Sequence, residues 1–243
     1  LYSIDDFLGG LVRLKQPEKG LRTTSDAVLL AACVPDSAKG KLLDVGCGVG
    51  ILALSTAKRA KGITAVGVDI QEELISLAKE NAAINELSDR VAFLCQDIME
   101  RGFLKGETFD YVITNPPFYA ENPSATPLMK AIAHHEGESG FLANWVDFSV
   151  RHLKAKGRFI MLHKAERLPE ILPLLCEKLG DLSVKPLYSR KGDSASRVIV
   201  SGVLNSKKPF RVLPPLIVHE SDGSFTKEAK AILMGDSDSF CGF

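Results

Sequence analysis

The sequence predicts an α/β fold in which a mostly parallel sheet carries helices on both faces. Three observations predict it. Lys41-Leu42-Leu43-Asp44-Val45 is a short apolar run that leads into Gly46-Cys47-Gly48-Val49-Gly50 and then into the helically spaced segment 51–57. Two further apolar runs, 63–69 and 90–97, each end in an acid, Asp69 and Asp97, with an amphipathic segment between them. A fourth run, Tyr111-Val112-Ile113, stops at Asn115-Pro116-Pro117-Phe118, because neither proline has an N–H to give to a ladder. Apolar strands that alternate with helices are the pattern of a parallel sheet covered on both sides.

Composition bounds the molecule. A chain of 243 residues, 45% hydrophobic and 25% charged, is long enough for one domain with a full core. No window approaches eighteen apolar residues, so no membrane span is expected. The first residues lack the basic and apolar regions of a secretory signal. Cys33, Cys47, Cys95, Cys176 and Cys241 are scattered without a C-x-x-C pair, which predicts reduced thiols, no zinc site and a cytoplasmic setting. The net charge is zero, so any contact with nucleic acid has to come from a local patch.

Residues 1–40 are expected to form an extension that packs on a core of residues 41–243 and contributes to its cofactor site. Within it, 11–16 alternates like a short edge strand, and Pro17 and Gly20 mark a turn. Arg13, Lys15, Lys19 and Arg22 against Glu18 read as a solvated basic face. Thr23-Thr24-Ser25-Asp26 precedes an apolar run and reads as a helix cap, with the helix ending near Pro35. The functional alternative for Ser25 and Asp26 is that they line a cofactor pocket.

The glycine turn has the spacing G-x-G-x-G, and Asp44 precedes it inside the strand. Glycines permit close approach of a ligand to the backbone. A carboxylate so near the loop would repel a phosphate, but it suits a cofactor with a positive centre. S-adenosyl-L-methionine has a sulfonium, an ammonium and no phosphate. Asp69, about twenty residues past the loop and followed by Ile70, is placed to accept ribose hydroxyls. Asp97 could accept an adenine amine while the Ile98 backbone reads the ring. Each acid taken alone could equally be a helix cap. Together, Asp44, Gly46, Gly48, Gly50, Asp69 and Asp97 predict a cofactor site.

Beyond the Asn-Pro-Pro turn, 119–140 reads as a loop beside the site. His134, His135 and Glu136 within it are adjacent, a poor arrangement for a metal. Residues 141–154 read as a helix with Trp145 as core, 158–162 as a fifth strand, and 165–179 as a helix started or bent by Pro169 and Pro173. Residues 182–188 and 197–204 read as an antiparallel pair, 210–218 as a further strand and 227–234 as a terminal helix within the tail 206–243. The span 185–211 holds Lys185, Arg190, Lys191, Arg197, Lys207, Lys208 and Arg211, with Asp193 as its acid. It reads as an RNA-backbone surface or as a solvated edge.

In order along the chain, DVGCGVG, VGVD, CQD and NPPF resemble the class I S-adenosylmethionine-dependent methyltransferases, from Leu42 to Leu204. The resemblance implies a Rossmann-like, seven-stranded, mostly parallel sheet whose last strand is antiparallel. NPPF is similar to the signature of enzymes that methylate a nitrogen conjugated to a planar group. RTTSDAVLLAA, NPPFY followed by ATPLMKAIAHHE, and SRVIVSG resemble the bacterial valine-tRNA adenine N6-methyltransferase family. This implies a methyl group placed on an adenine beside the anticodon, with tRNA as partner and S-adenosyl-L-homocysteine as product. It also implies that Ser25 and Asp26 lie near the cofactor.

On this reading Asn115, Pro116 and Phe118 are catalytic, and Asn115 also borders the cofactor. Pro117, Tyr119, Lys207 and Lys208 touch the substrate. Phe118 would stack on an extruded or unpaired base. No metal is expected, and the chain is expected to be a monomer or weak homodimer. The same turn also serves enzymes that act on guanine N2 of ribosomal RNA, on release-factor glutamine or on DNA adenine. A non-catalytic RNA- or cofactor-binding protein of this fold is the remaining alternative.

Overall fold

The structure is a computed structural model and describes residues 1–18, 22–100, 102–117 and 140–236. An N-terminal hairpin pairs β1 (Tyr2–Phe7) with β2 (Val12–Pro17) antiparallel, outside the main sheet. Helix α1 (Ser25–Ala31) then leads to the alternating units β3 (Lys39–Val45), α2 (Ile51–Arg59), β4 (Gly62–Asp69), α3 (Glu72–Ile84), β5 (Val91–Cys95) and β6 (Phe109–Thr114). Helix α4 occupies 140–151. After it come β7 (Leu153–Lys164), α5 (Leu168–Cys176), β8 (Leu179–Tyr188) and β9 (Ala195–Leu204). The described part ends with β10 (Arg211–Val212), β11 (Leu216–Ile217) and α6 (Lys227–Leu233).

The seven long strands lie in the order β5-β4-β3-β6-β7-β9-β8, all parallel except β9. This is the expected sheet with its antiparallel last strand. The expected strand over 210–218 is instead two two-residue strands, β10 and β11, each added parallel to β8. Pro214-Pro215 between them offers no N–H and divides the pairing. Helix α1 is also shorter than a helix ending near Pro35.

Alternation along the strands sends side chains to two cores. Leu42, Ile113, Ile160 and Ile199 meet α1, α2, α3 and α6 on one face. Leu43, Val112, Phe159 and Val200 meet α4 and α5 on the other. Because β3, β4, β5, β6 and β7 are parallel, their carboxyl ends share one edge. The loops after β3, β4, β5 and β6 therefore converge there, where open α/β sheets bind ligands.

Among the described residues, Cys47, Cys95 and Cys176 are free thiols. No helix among the described residues is long and apolar enough to cross a membrane.

Candidate functional site

A cavity of about 200 Å³ opens at the carboxyl edge of the sheet. The glycine turn forms one wall, with Gly46, Cys47, Gly48 and Val49 lining it. Gly46, Gly48 and Gly50 all have positive φ, which keeps the turn tight and its backbone turned to the cavity. At Gly48 a Cβ would meet nothing within 4 Å, so that space is open to a ligand. At Gly50 a Cβ would stand 2.6 Å from the Phe93 ring, so that glycine serves packing beneath the turn.

Asp69 is the last residue of β4 and lines the cavity. Its Oδ2 accepts the Gly48 N–H at 2.9 Å and its Oδ1 accepts the Gln71 N–H at 2.9 Å. Each oxygen keeps lone-pair capacity for a further donor. Burial raises the Asp69 carboxyl above its usual range, against the two backbone donors that lower it. Ile70, Asp97 and Ile98 line the same cavity. Asp97 Oδ1 accepts the Met99 N–H at 2.8 Å, which fixes the turn after β5.

Asn115 follows the last residue of β6, and Asn115, Pro116 and Pro117 complete the opposite wall. Asn115 Oδ1 is buried without a hydrogen-bond partner among the described residues. An unmet buried acceptor costs roughly 1–3 kcal/mol. A donor supplied by a ligand would meet that need. The floor beneath it is Trp145, read from the sequence as core. It is 5% exposed, lines the cavity, and donates its indole N–H to Thr114 Oγ1 at 2.9 Å.

Four of the expected cofactor residues do not line the cavity. Asp44 is 0% exposed and points under α2, where its Oδ2 accepts the Ala53 N–H at 3.1 Å. It satisfies one of the N–H groups that a helix start leaves open. Burial, with Asp69 nearby, pushes the Asp44 carboxyl up to about 8. Asp26 is ion-paired with Arg197 of β9, which turns it from the cavity. Ser25 opens α1 beside it, and Gly50 lies beneath the loop. The wall that sequence reasoning assigned to Ser25 and Asp26 is instead built from Arg22, Thr23 and Thr24. Thr24 precedes α1, yet its side chain makes no capping bond.

Lys207 and Lys208 are also displaced from the site. Strand β9 begins at the cavity edge, where Arg197 pairs with Lys164, and ends where Leu204 pairs with Leu179. Its ten residues span roughly 30 Å at about 3.3 Å each. Both lysines follow its far end. The basic span 185–211 is thus split between the two ends of the sheet. At the far end Lys208, Arg211 and Arg158 gather around the buried Asp181, at 3.7, 3.2 and 3.6 Å. Lys185 is buried, not a surface cation. Phe118, Tyr119 and the loop containing His134, His135 and Glu136 lie outside the described residues.

A cofactor of the S-adenosylmethionine type fits what is present. The open space at Gly48 admits close approach to backbone. Asp69 offers a carboxylate at the cavity wall, and among the described residues that line the cavity Arg22 is the one basic side chain. Residues 23–183 match the family model described as the methyltransferase small domain. A protein from Porphyromonas gingivalis named tRNA1(Val) (adenine(37)-N6)-methyltransferase is 28% identical over 221 residues, covering 86% of this chain and 85% of that one. A protein of the same name from Shewanella amazonensis is 28% identical over 214 residues, covering 88% and 84%. Among solved structures, one described as a predicted O-methyltransferase from Agrobacterium tumefaciens superposes with a TM-score of 0.72. It is 22% identical, covers 88% of this chain and 97% of that one, and speaks to the fold alone.

Proposed function

Because the chain belongs to the methyltransferase small domain family, we propose that it methylates the N6 amine of an adenine in the anticodon loop of valine tRNA. The names of its relatives support that target. S-adenosyl-L-methionine, when bound, supplies an electrophilic methyl group on a positively charged sulfur. Asp69 with Ile70 would hold its ribose and Asp97 with Ile98 its adenine ring, and Gly46 and Gly48 would let the backbone approach it.

The observation that carries the reading is the buried, unpartnered Asn115 Oδ1 at the cavity wall. It accepts one hydrogen of the target amine, and the Pro116 carbonyl accepts the other. An adenine amine is a poor nucleophile because its lone pair is delocalised into the ring. Two acceptors favour a pyramidal nitrogen with that lone pair aimed at the methyl carbon. With that cofactor held there, the N–C bond would form as its C–S bond breaks, the electrons of the latter staying on the sulfur of the departing S-adenosyl-L-homocysteine. The nitrogen becomes cationic only after transfer, so its proton then passes to water and no strong base is needed.

Phe118 stacks on the base, worth roughly 1–3 kcal/mol, with Pro117 and Tyr119 beside it. Anticodon loops offer unpaired bases, which lowers the cost of presenting one. Lys207 and Lys208, on this reading, hold backbone phosphates remote from the target. A tRNA substrate also implies a cytoplasmic setting.

The test is transfer from methyl-labelled cofactor to unmodified bacterial tRNA. Label is expected as N6-methyladenosine in the nucleoside digest. Label in protein, or in N2-methylguanosine, would overturn the choice of target while leaving methyl transfer intact. Absence of transfer to any amine would favour a binding protein of the same fold.

A further inference from the structure

One side chain joins three parts of the molecule that meet around the cavity. Asn81 on α3 is 0% exposed. Its Oδ1 accepts the Lys15 N–H of β2 at 2.7 Å, and its Nδ2 donates to the Lys15 carbonyl at 2.9 Å. The same Nδ2 donates to the Val49 carbonyl at 3.0 Å, inside the glycine turn. One turn further along, Asn85, the residue that caps α3, repeats the first half of this pattern. Its Oδ1 accepts the Arg13 N–H at 2.8 Å and its Nδ2 donates to the Arg13 carbonyl at 2.7 Å. Its remaining donor bond, 2.7 Å, goes to the Asn81 carbonyl within the helix and not to the loop. The two amides thus act as a surrogate strand along the open edge of β2.

The residue after Lys15 reaches another wall of the cavity, the one formed by Arg22 and Thr23. Gln16 is 1% exposed, and its Oε1 accepts the Thr23 N–H at 2.9 Å. Its Nε2 donates to Asp5 Oδ2 at 2.6 Å, and Asp5 also pairs with Arg22 at 2.8 Å. Arg22 and Thr23 line the cavity, as Val49 does. Neighbouring residues of β2 therefore hold one wall through Gln16 and the other through Asn81.

We propose that Asn81 is a positioning residue for the cofactor pocket, fixing the glycine turn against the N-terminal hairpin through its amide. The proposal rests on reading this cavity as the S-adenosylmethionine site. Only a short amide supplies an acceptor and two donors from one rigid plane at this depth. Its loss removes the side-chain partner of three backbone groups, one of them in the turn itself. Asn85 is the internal control, because it clamps the same strand and never touches the turn.

The test compares Asn81→Ala and Asn85→Ala in the full chain, with two readouts. The first is hydrogen exchange of the amides in 46–53, measured without ligand. The second is the Kd for S-adenosylmethionine by calorimetry. Asn81→Ala is expected to speed exchange in 46–53 at least tenfold and to raise the Kd at least tenfold. Asn85→Ala should change both less than twofold while lowering Tm by a similar amount. Equal effects of the two substitutions, or none from Asn81→Ala, would overturn the proposal. Should Asn81→Ala not fold, Asn81→Asp keeps the acceptor for Lys15 and lacks the donors, and the same differences are expected. If the unaltered chain binds no S-adenosylmethionine, the reading of the pocket fails, and the exchange rates still decide the role of Asn81.

Discussion

The indole N–H of Trp145 donates to the Thr114 hydroxyl at 2.9 Å, and that hydroxyl donates to the Val45 carbonyl at 2.8 Å. The chain of bonds ties α4 to the last residues of β6 and β3, directly before Asn115 and the glycine turn. The same ring packs against Gly46, where a Cβ would stand 2.8 Å away. Trp145→Phe keeps the ring and removes the donor. It should destabilise the protein by about 1 kcal/mol and lower kcat several-fold, with cofactor affinity held within twofold. An unchanged kcat would mean that this bond plays no part in aiming Asn115.

Asn115→Ala removes the acceptor at the cavity wall. Turnover should fall by orders of magnitude while the Kd for S-adenosylmethionine changes only a few-fold, because the contacts proposed for the cofactor at Gly46, Gly48, Asp69 and Asp97 remain. The variant should be no less stable than the parent, since the deleted oxygen has no partner among the described residues. Near-normal turnover would exclude the proposed role.

The glycines of one motif should respond in opposite ways. Gly48→Ala places a methyl group in open space with a left-handed φ of 54°. The strain of that conformation is roughly 1–2 kcal/mol, so the variant should fold, and its cofactor Kd should rise more than tenfold as the methyl group enters the cavity. Gly50→Ala drives a methyl group to 2.6 Å from Phe93 at a φ of 92°, and Tm should fall by far more. Thermal melts and calorimetry on the two variants check the contrast.

Asp44 makes stability fall as pH rises. Its carboxyl is raised by burial, first of all, to about 8, against about 4 in the unfolded chain. Between those values the folded state holds a proton that the unfolded state has lost. Its contribution is therefore fully present below about pH 4 and is lost as pH climbs through 8. The slope approaches about 1.4 kcal/mol per pH unit. Urea unfolding of the ligand-free protein at pH 5.5 and 8.5 should show the loss, and Asp44→Asn should flatten it. Asp69, raised in the same direction, will leave a residual slope. Parallel profiles for parent and variant would refute the assignment.

Lys207→Ala with Lys208→Ala should weaken RNA binding and shallow its salt dependence by one to two phosphate contacts. Because the pair lies a strand's length from the cavity, kcat at saturating RNA should not change. A salt slope equal to the parent's would return these lysines to a solvated edge.

Much of this architecture was legible in sequence because it rests on local rules. Apolar runs at strand spacing, glycines at a turn and prolines that end a ladder act over a few residues. They located β3 to β7, the converging loops and Asn115. The acids were harder. All three lie at strand ends, yet Asp69 and Asp97 line the cavity while Asp44, second from the end of β3, faces the underside of α2. Period-two alternation separates these cases only when the strand end is known to a single residue.

What sequence alone determined is the order of elements, the mostly parallel sheet and the rigid turn after β6, because strand period, glycine and proline stereochemistry are properties of neighbouring residues. Tertiary structure decided which side chains share the cavity. Asp26 went to Arg197, Lys207 and Lys208 went to the far end of an antiparallel strand, and Asn81 brought β2 against the glycine turn. Those partners lie scores of residues apart, and their meeting is set by sheet order and strand direction, which no local pattern encodes.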